Sequence, residues 1–148
     1  MNYQLTNELR VAPDFSPPEP PTMIFEHFAL NVPDTRAAAE WYVEHLGLTI
    51  RRARPDAPYT HFLGDSTGRV FLEIYTNPTD PIPEYPTQHQ LRVHFAFAVA
   101  DAKVERTRLQ QAGATLIVEE PLPDGTLLIM LRDPWGVPVQ LCQRAQPF

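Results

Sequence analysis

One segment of this chain occurs twice, and that duplication limits the folds available to it. The eight residues from His27 to Asp34 align with those from His94 to Asp101 at an offset of 67 residues, and five of the eight pairs are identical. Each copy is typical of a strand that ends at an Asp able to cap a helix, followed by about three helical turns and a Gly. We therefore predict one structural unit present twice, with a shared core, because neither copy is large enough to fold alone.

Three shorter strand-like segments follow each predicted helix. They cover residues 48–52, 59–63 and 69–76 in the first copy, and residues 115–119, 126–131 and 137–143 in the second. The predicted fold class is therefore α+β, with two βαβββ modules that form a curved, cup-like mixed sheet with the helices packed outside.

The prolines indicate how the chain is divided. Five of the 17 prolines lie between Pro13 and Pro21, which predicts an extended arm over residues 1–22. The remainder, residues 23–148, is predicted to be a single domain. Within it, module 1 spans about residues 23–77, a proline-rich linker residues 78–91, and module 2 about residues 92–143.

Charge and composition exclude several classes of function. The net charge is −6 and no basic run extends beyond Arg51, Arg52 and Arg54, so nucleic acid is not an expected partner. Cys142 is the single cysteine, which excludes an intrachain disulfide. There is no apolar run of membrane-spanning length and no secretory signal, so we expect no membrane partner, a cytoplasmic location and a small-molecule ligand.

The first and last strands of each module each carry a polar residue among apolar neighbours. His27, Glu73, His94 and Gln140 each lie opposite the large apolar side chains of their strand, and Glu73 and Gln140 again differ by 67 positions. If both sheets curve around one space, the four side chains meet there. A lone buried carboxylate is costly, so this set predicts one divalent metal ion, and Zn, Ni, Co, Fe or Mn would suit its two nitrogen and two oxygen ligands.

Four further residues are candidates for contact with a substrate. His61 is predicted to line the cup, with an ordinary packed histidine as the alternative. Tyr75 and Met130 are predicted either to touch substrate or to pack in the cup wall. Trp135, in a turn before the last strand, either covers the mouth of the cup or braces the turn.

The chain resembles the vicinal oxygen chelate superfamily, which includes glyoxalase I, methylmalonyl-CoA epimerase, extradiol dioxygenases, and fosfomycin- and bleomycin-resistance proteins. The resemblance covers about residues 24–143. Its marks are the segment from His27 to Asp34, Trp41-Tyr42, Leu46-Gly47, and the run from Asp133 to Gly136. It implies a divalent metal in a cup of paired βαβββ modules, with ligand positions that match His27, Glu73, His94 and Gln140. It also implies a homodimer, with the cup formed within one chain or shared between two.

Glyoxalase I is the most similar branch in local sequence. The run from Phe71 to Asn77 is similar to its ligand strand, in which the Asn equivalent to Asn77 contacts glutathione. Asn31 stands where glyoxalase I has an Arg that pairs with glutathione, and Gln140 stands where it has a Glu. These two departures disfavour glutathione, while Asn31 and Asn77 remain candidate substrate-binding residues.

The combined prediction is a metal-dependent isomerase or lyase that transfers a proton on a small substrate with two adjacent oxygens. Glu73 is the predicted catalytic base, because it is the only carboxylate among the four ligands. Two other classes remain open. Two His and one Glu also make the facial triad of an extradiol-type dioxygenase, and a drug-binding resistance protein would use the cup without metal or catalysis.

Overall fold

The computed structural model of the protein describes residues 23–148. The predicted N-terminal arm, residues 1–22, lies outside the described residues. The elements follow in the order β1 (Phe28–Asn31), α1 (Thr35–Leu46), β2 (Thr49–Ala53), β3 (His61–Gly64), β4 (Val70–Tyr75), β5 (Phe95–Ala98), α2 (Ala102–Gln111), β6 (Thr115–Pro121), β7 (Leu127–Arg132) and β8 (Pro138–Gln143).

The strands form two four-stranded mixed sheets of the same topology. Sheet A has the order β1-β4-β3-β2 and sheet B the order β5-β8-β7-β6. In each sheet the first strand is parallel to the last strand of its module, and the other pairs are antiparallel. The predicted α+β fold with two βαβββ modules is confirmed. β1 and β5 are edge strands, and no ladder among residues 23–148 joins the two sheets.

Both helices begin at the predicted aspartates. The carboxylate of Asp34 accepts a hydrogen bond from the backbone N–H of Ala37, and that of Asp101 accepts two from the first turn of α2. Gly47 ends α1 with φ of 70°, the left-handed conformation that glycine adopts most readily. Neither helix within residues 23–148 is long and apolar enough to cross a membrane.

The core is shared between the modules. α1 buries Thr35, Ala38, Ala39 and Tyr42 against sheet A. The same cluster of buried residues includes Phe95, Val137 and Val139 from module 2 and Tyr85 from the linker. A second cluster surrounds Leu109 of α2, and the half-buried Trp41 and Leu46 of α1 pack against it. Helix α1 thus contributes to both clusters, and removing either module would expose much of the larger one.

The first strand departs from the predicted alternation at one residue. Leu30 and Val32 are buried, as expected for the packed face, but Phe28 is 39% exposed. Phe28 begins an edge strand, and no neighbouring strand from residues 23–148 covers its outer side.

Candidate metal centre

Three residues of sheet A lie side by side on the face opposite α1, called here the concave face. Ala29 pairs with Glu73, and Glu73 pairs with Phe62 on the next strand. Directly paired residues point to the same side of a sheet. The ring of Phe62 also meets that of His27 edge-on, with centroids 5.5 Å apart. His27 therefore lies on the same face, at the start of the neighbouring edge strand.

His27 and Glu73 form the first half of the predicted centre. His27 Nε2 lies 2.9 Å from Glu73 Oε2, and the two side chains are 28% and 19% exposed. The other ring nitrogen, Nδ1, is buried and makes no hydrogen bond of acceptable geometry, although Glu26 Oε2 is 2.7 Å away. Because the Glu26 side chain is 81% exposed, it is free to rotate and accept a bond from that nitrogen.

His94 and Gln140 occupy the equivalent positions on sheet B. Ala96 pairs with Gln140 just as Ala29 pairs with Glu73, and each histidine stands two residues before its alanine. His94 is exposed and Gln140 is half-buried. The Sγ atom of Cys142 lies 3.5 Å from Gln140 Oε1, on the same face.

The structure does not bring all four predicted ligands together within one chain. Among residues 23–148, no three His, Cys, Asp or Glu side chains form a group that could hold a metal ion. His27 and Glu73 meet on sheet A, whereas His94 and Gln140 belong to sheet B. The predicted centre is therefore not complete within residues 23–148, and His27 with Glu73 and His94 with Gln140 are called here the two candidate half-sites.

The donors of the first half-site fit a divalent ion. Histidine nitrogen and carboxylate oxygen are both common ligands of divalent ions. His27 Nε2 and Glu73 Oε2 are in direct polar contact at 2.9 Å, so two such donors lie at one place on the sheet. Metal-bound histidines usually donate their second N–H to a carboxylate, and Glu26 stands beside the unsatisfied Nδ1. His27 and Glu73 are thus suitable ligands, and the full set of four stays a prediction.

Comparison with known protein families shows which family this chain belongs to. The family model described as Glyoxalase/Bleomycin resistance protein/Dioxygenase superfamily matches residues 24–141. The chain belongs to this superfamily. The match covers both modules and the linker, and it confirms the resemblance inferred from the sequence. A search of curated proteins gave no match.

Solved structures from the glyoxalase superfamily share the fold. A glyoxalase I mutant from Zea mays aligns with 27% identity and a TM-score of 0.62 over 82% of this chain and 46% of that one. Lactoylglutathione lyase from Agrobacterium tumefaciens aligns with 23% identity and a TM-score of 0.59 over 84% and 95% of the two chains. An antibiotic binding protein from a Streptomyces species aligns with 20% identity and a TM-score of 0.61 over 81% and 94%. The fold is thus found in both an enzyme and a binding protein.

His61 lies on the face opposite the one predicted. It pairs with Ile74 and Ala53, and Ile74 pairs with Leu30, so this row faces α1 and the core. His61 is 8% exposed, and its Nδ1 lies 2.6 Å from the carbonyl oxygen of Tyr59. Sequence reasoning missed that Phe62 takes the concave position instead. The sequence did indicate this orientation. His61 and Leu63 are two residues apart, so they lie on the same face of the strand, and Leu63 is large and apolar.

The side chains of Asn31 and Asn77 form hydrogen bonds that stabilise the start of the linker. The Asn31 side chain accepts a hydrogen bond from the backbone N–H of Asn77 and donates to the carbonyl oxygens of Asn77 and Asp80. The Asn77 side chain accepts bonds from Thr79 and donates to the Asp80 carboxylate. Both amides are therefore occupied by local structure, which leaves them little capacity to bind the glutathione used by some members of the superfamily.

The remaining three candidates line walls or turns. Met130 pairs with Gln140 on the concave face of sheet B and is 3% exposed. Tyr75 is half-buried and pairs with Asn31 at the end of β4. Trp135 is half-buried, packs against the larger core cluster, and has its ring 6.4 Å from that of Trp41. This placement of Trp135 agrees with a residue that braces the turn.

A buried polar contact that the sequence did not predict joins the modules. Tyr42 of α1 donates a 2.6 Å hydrogen bond to Asp133 Oδ2, in the turn between β7 and β8. The backbone N–H groups of Trp135 and Val137 donate to the other carboxylate oxygen. Burial raises the pKa of Asp133 to about 6, even though these hydrogen bonds oppose the shift. Burial, followed by the nearby Asp133 carboxylate, also raises the pKa of Tyr42.

Proposed function

We propose that two copies of this chain assemble a metal centre that transfers a proton on a small substrate with two adjacent oxygens. The observation that carries this proposal is the His27–Glu73 pair, with its atoms 2.9 Å apart on an open face of sheet A. The pair places two common metal ligands, an imidazole nitrogen and a carboxylate oxygen, side by side.

Assembly from two copies is supported by what one chain lacks. Each chain holds two half-sites, and residues 23–148 form no three-residue metal group. β1 and β5, which follow His27 and His94 directly, each have one edge that pairs with no strand in residues 23–148. Pairing β1 of one copy with β5 of another would bring His27 and Glu73 of the first copy close to His94 and Gln140 of the second. The proposed assembly is therefore a homodimer with two shared centres.

The ion and the side chains around it would have different roles in the reaction. A bound divalent ion would polarise the substrate oxygens and stabilise negative charge on them. Glu73 accepts the proton from the hydroxyl-bearing carbon next to a substrate carbonyl and returns it to the carbonyl carbon, while the hydroxyl proton passes to the former carbonyl oxygen, so no other reactant is consumed. Before an ion binds, His27 Nε2 holds Glu73 in position, and Phe62 and Ala29 lie beside it on the same face. This chemistry is that of an isomerase or lyase.

Solvent exchange tests this proposal. Metal-loaded protein is incubated in D₂O with a panel of small α-hydroxy and α-keto compounds, and deuterium incorporation next to the carbonyl is followed by proton NMR. We expect exchange by wild type, a loss of at least about 100-fold in Glu73→Gln, as for removal of a general base, and no change in Glu44→Gln. Glu44 is a matched control because its side chain is 77% exposed and lies on α1. Equal exchange by wild type and Glu73→Gln would contradict the proposal.

A second candidate function, non-catalytic binding of an apolar drug, is favoured by one feature of sheet B. A groove of about 550 Å³ is lined mainly by apolar side chains, including Ala96, Ala98, Pro147 and Phe148. The similarity to an antibiotic binding protein agrees with such a role. Measurement of the metal content distinguishes the two candidates. Protein that holds no divalent ion, either as isolated or after incubation with metal, would favour drug binding.

A further inference from the structure

Two adjacent arginines project onto the concave face of sheet A. Ile50 pairs with Leu63 on the helix side, and the next pair is Arg52 with Phe62, so Arg51 is an extra residue in the ladder. Such a bulge sets two consecutive residues against one partner and can re-aim side chains beside functional sites. Arg52 therefore shares the face of Phe62, which also holds His27.

The stem of Arg51 lies over Gly64. Arg51 alternates with Ile50, which is on the helix side, so its side chain starts on the concave face, and Gly64 lies opposite, where the pairing of β3 with β4 shifts register. A Cβ atom added to Gly64 would lie 3.2 Å from Arg51 Cγ, so the stem of Arg51 passes over that glycine. The two guanidinium groups thus extend from the same side of β2.

Both guanidinium groups are exposed and have no partner in the part of the chain that the structure describes. Neither forms an ion pair with a residue in 23–148, whereas Arg106 and Arg108 each pair with a glutamate. Nine of the eleven Lys and Arg side chains in residues 23–148 form no ion pair within that range, and Arg51 and Arg52 are the one pair of basic residues adjacent in the sequence. Sheet B has no counterpart, because Val118 holds the position equivalent to Arg52, opposite Met130. Duplication alone therefore does not explain the cations.

We propose that Arg51 and Arg52 bind an oxyanion of the substrate, either a carboxylate or a phosphate. This inference rests on the proposed function, and it specifies the class of substrate. The row Ala29, Glu73, Phe62 and Arg52 crosses four strands, so Arg52 lies two strands from Glu73. At about 4.8 Å per strand, their backbones are about 10 Å apart, a span that one small anionic molecule can bridge with its reactive carbon at Glu73. Guanidinium groups suit both anions, because their paired N–H donors match two oxygens.

Arginine side-chain NMR tests this assignment. The Nε–H signals of ¹⁵N-labelled protein are followed during titration with inorganic phosphate and, separately, with acetate, and are assigned through Arg51→Lys and Arg52→Lys. We expect the Arg51 and Arg52 signals to move and saturate with one or both anions. The signal of Arg36, whose guanidinium donates to the carbonyl of Pro55, serves as the internal reference. The anion that saturates at the lower concentration identifies the substrate group.

Alanine variants measure the contribution of each arginine to anion binding. Arg51→Ala or Arg52→Ala should each weaken anion binding by about tenfold, as expected for loss of a hydrogen bond to a charged group. Lys103→Ala removes the same charge from an exposed position on α2 and should leave binding unchanged. Equal, non-saturating drift of the Arg51, Arg52 and Arg36 signals would overturn the inference. Saturation of the two arginine signals in protein that shows no proton exchange would reject the proposed function while leaving this inference intact.

Discussion

Asp133 places a buried carboxylate between the two modules. Its side chain is held by Tyr42 from α1 and by backbone N–H groups of its own turn. The pKa of about 6 means that burial outweighs these bonds, so the charged form is held at a cost near neutral pH. The contact fixes the position of module 2 relative to α1 and therefore sets where the second half-site lies.

This carboxylate makes stability depend on pH. The folded pKa of about 6 lies above the ordinary value of 3.8, so the folded state takes up a proton more readily than the unfolded state. Its contribution to stability therefore grows as pH falls from about 7 to about 4, by up to about 3 kcal/mol. Urea unfolding of wild type and Asp133→Asn across that range measures it. The free energy of unfolding of wild type should rise relative to that of the variant, and a difference that is independent of pH would contradict this assignment.

Individual residues show what the sequence can reveal. Glu73 stands among apolar neighbours on a strand, and alternation alone predicted the face that it shares with His27. Asp133 lies in a turn, where no periodicity predicts burial, and its partner Tyr42 is 91 residues away. The sequence therefore predicted that His27 and Glu73 share a face, but not the polar contact that joins the modules.

At the scale of elements, the helices and strands followed the predicted pattern and the irregularities did not. The caps at Asp34 and Asp101 are local chemistry, and both were predicted. The bulge at Arg51 depends on how β2 pairs with β3, which no single segment encodes. Strict alternation from Ile50 would have turned Arg52 toward the helix. Pairing across strands, rather than local sequence, thus decides which arginines face the site.

The turn before β8 contains Gly136, which leaves space for Pro86 of the linker. Gly136 has φ of +87°, and an added Cβ would lie 2.5 Å from Pro86 Cγ. Gly125 has a similar φ of +91°, but its nearest neighbour, Ala145 Cβ, would be 3.9 Å away. Changing either glycine to Ala should cost about 1 to 2 kcal/mol for the left-handed backbone. Gly136→Ala should lose clearly more, because the linker must also move.

Urea unfolding of the two glycine variants, measured side by side, checks this expectation. Gly125→Ala is the control for the backbone conformation alone. Equal losses in the two variants would mean that the linker shifts away from Gly136 without cost.

At the scale of the whole molecule, duplication explains both the fold and its incomplete site. The two sheets repeat one topology and one register, so His27 and His94 hold equivalent positions. Within one chain the modules share a core around Tyr42 and Phe95, and the half-sites remain apart. The sequence predicted that the two modules hold these residues at equivalent positions; that they bind a metal stays a prediction. The sequence left open whether one chain or two would supply a centre, because the relative placement of modules depends on long-range packing.

The shared centre is tested most directly by measuring bound metal in mixed variants. His27→Ala and His94→Ala are prepared separately without metal, mixed under conditions where native mass spectrometry shows that heterodimers form, and then loaded with metal; each variant alone is loaded in parallel. We expect each variant alone to hold no ion. The heterodimer should hold one, because His27 and Glu73 of the His94→Ala chain meet His94 and Gln140 of the His27→Ala chain. Heterodimers that hold no ion, although wild type binds metal, would contradict a centre shared between two copies.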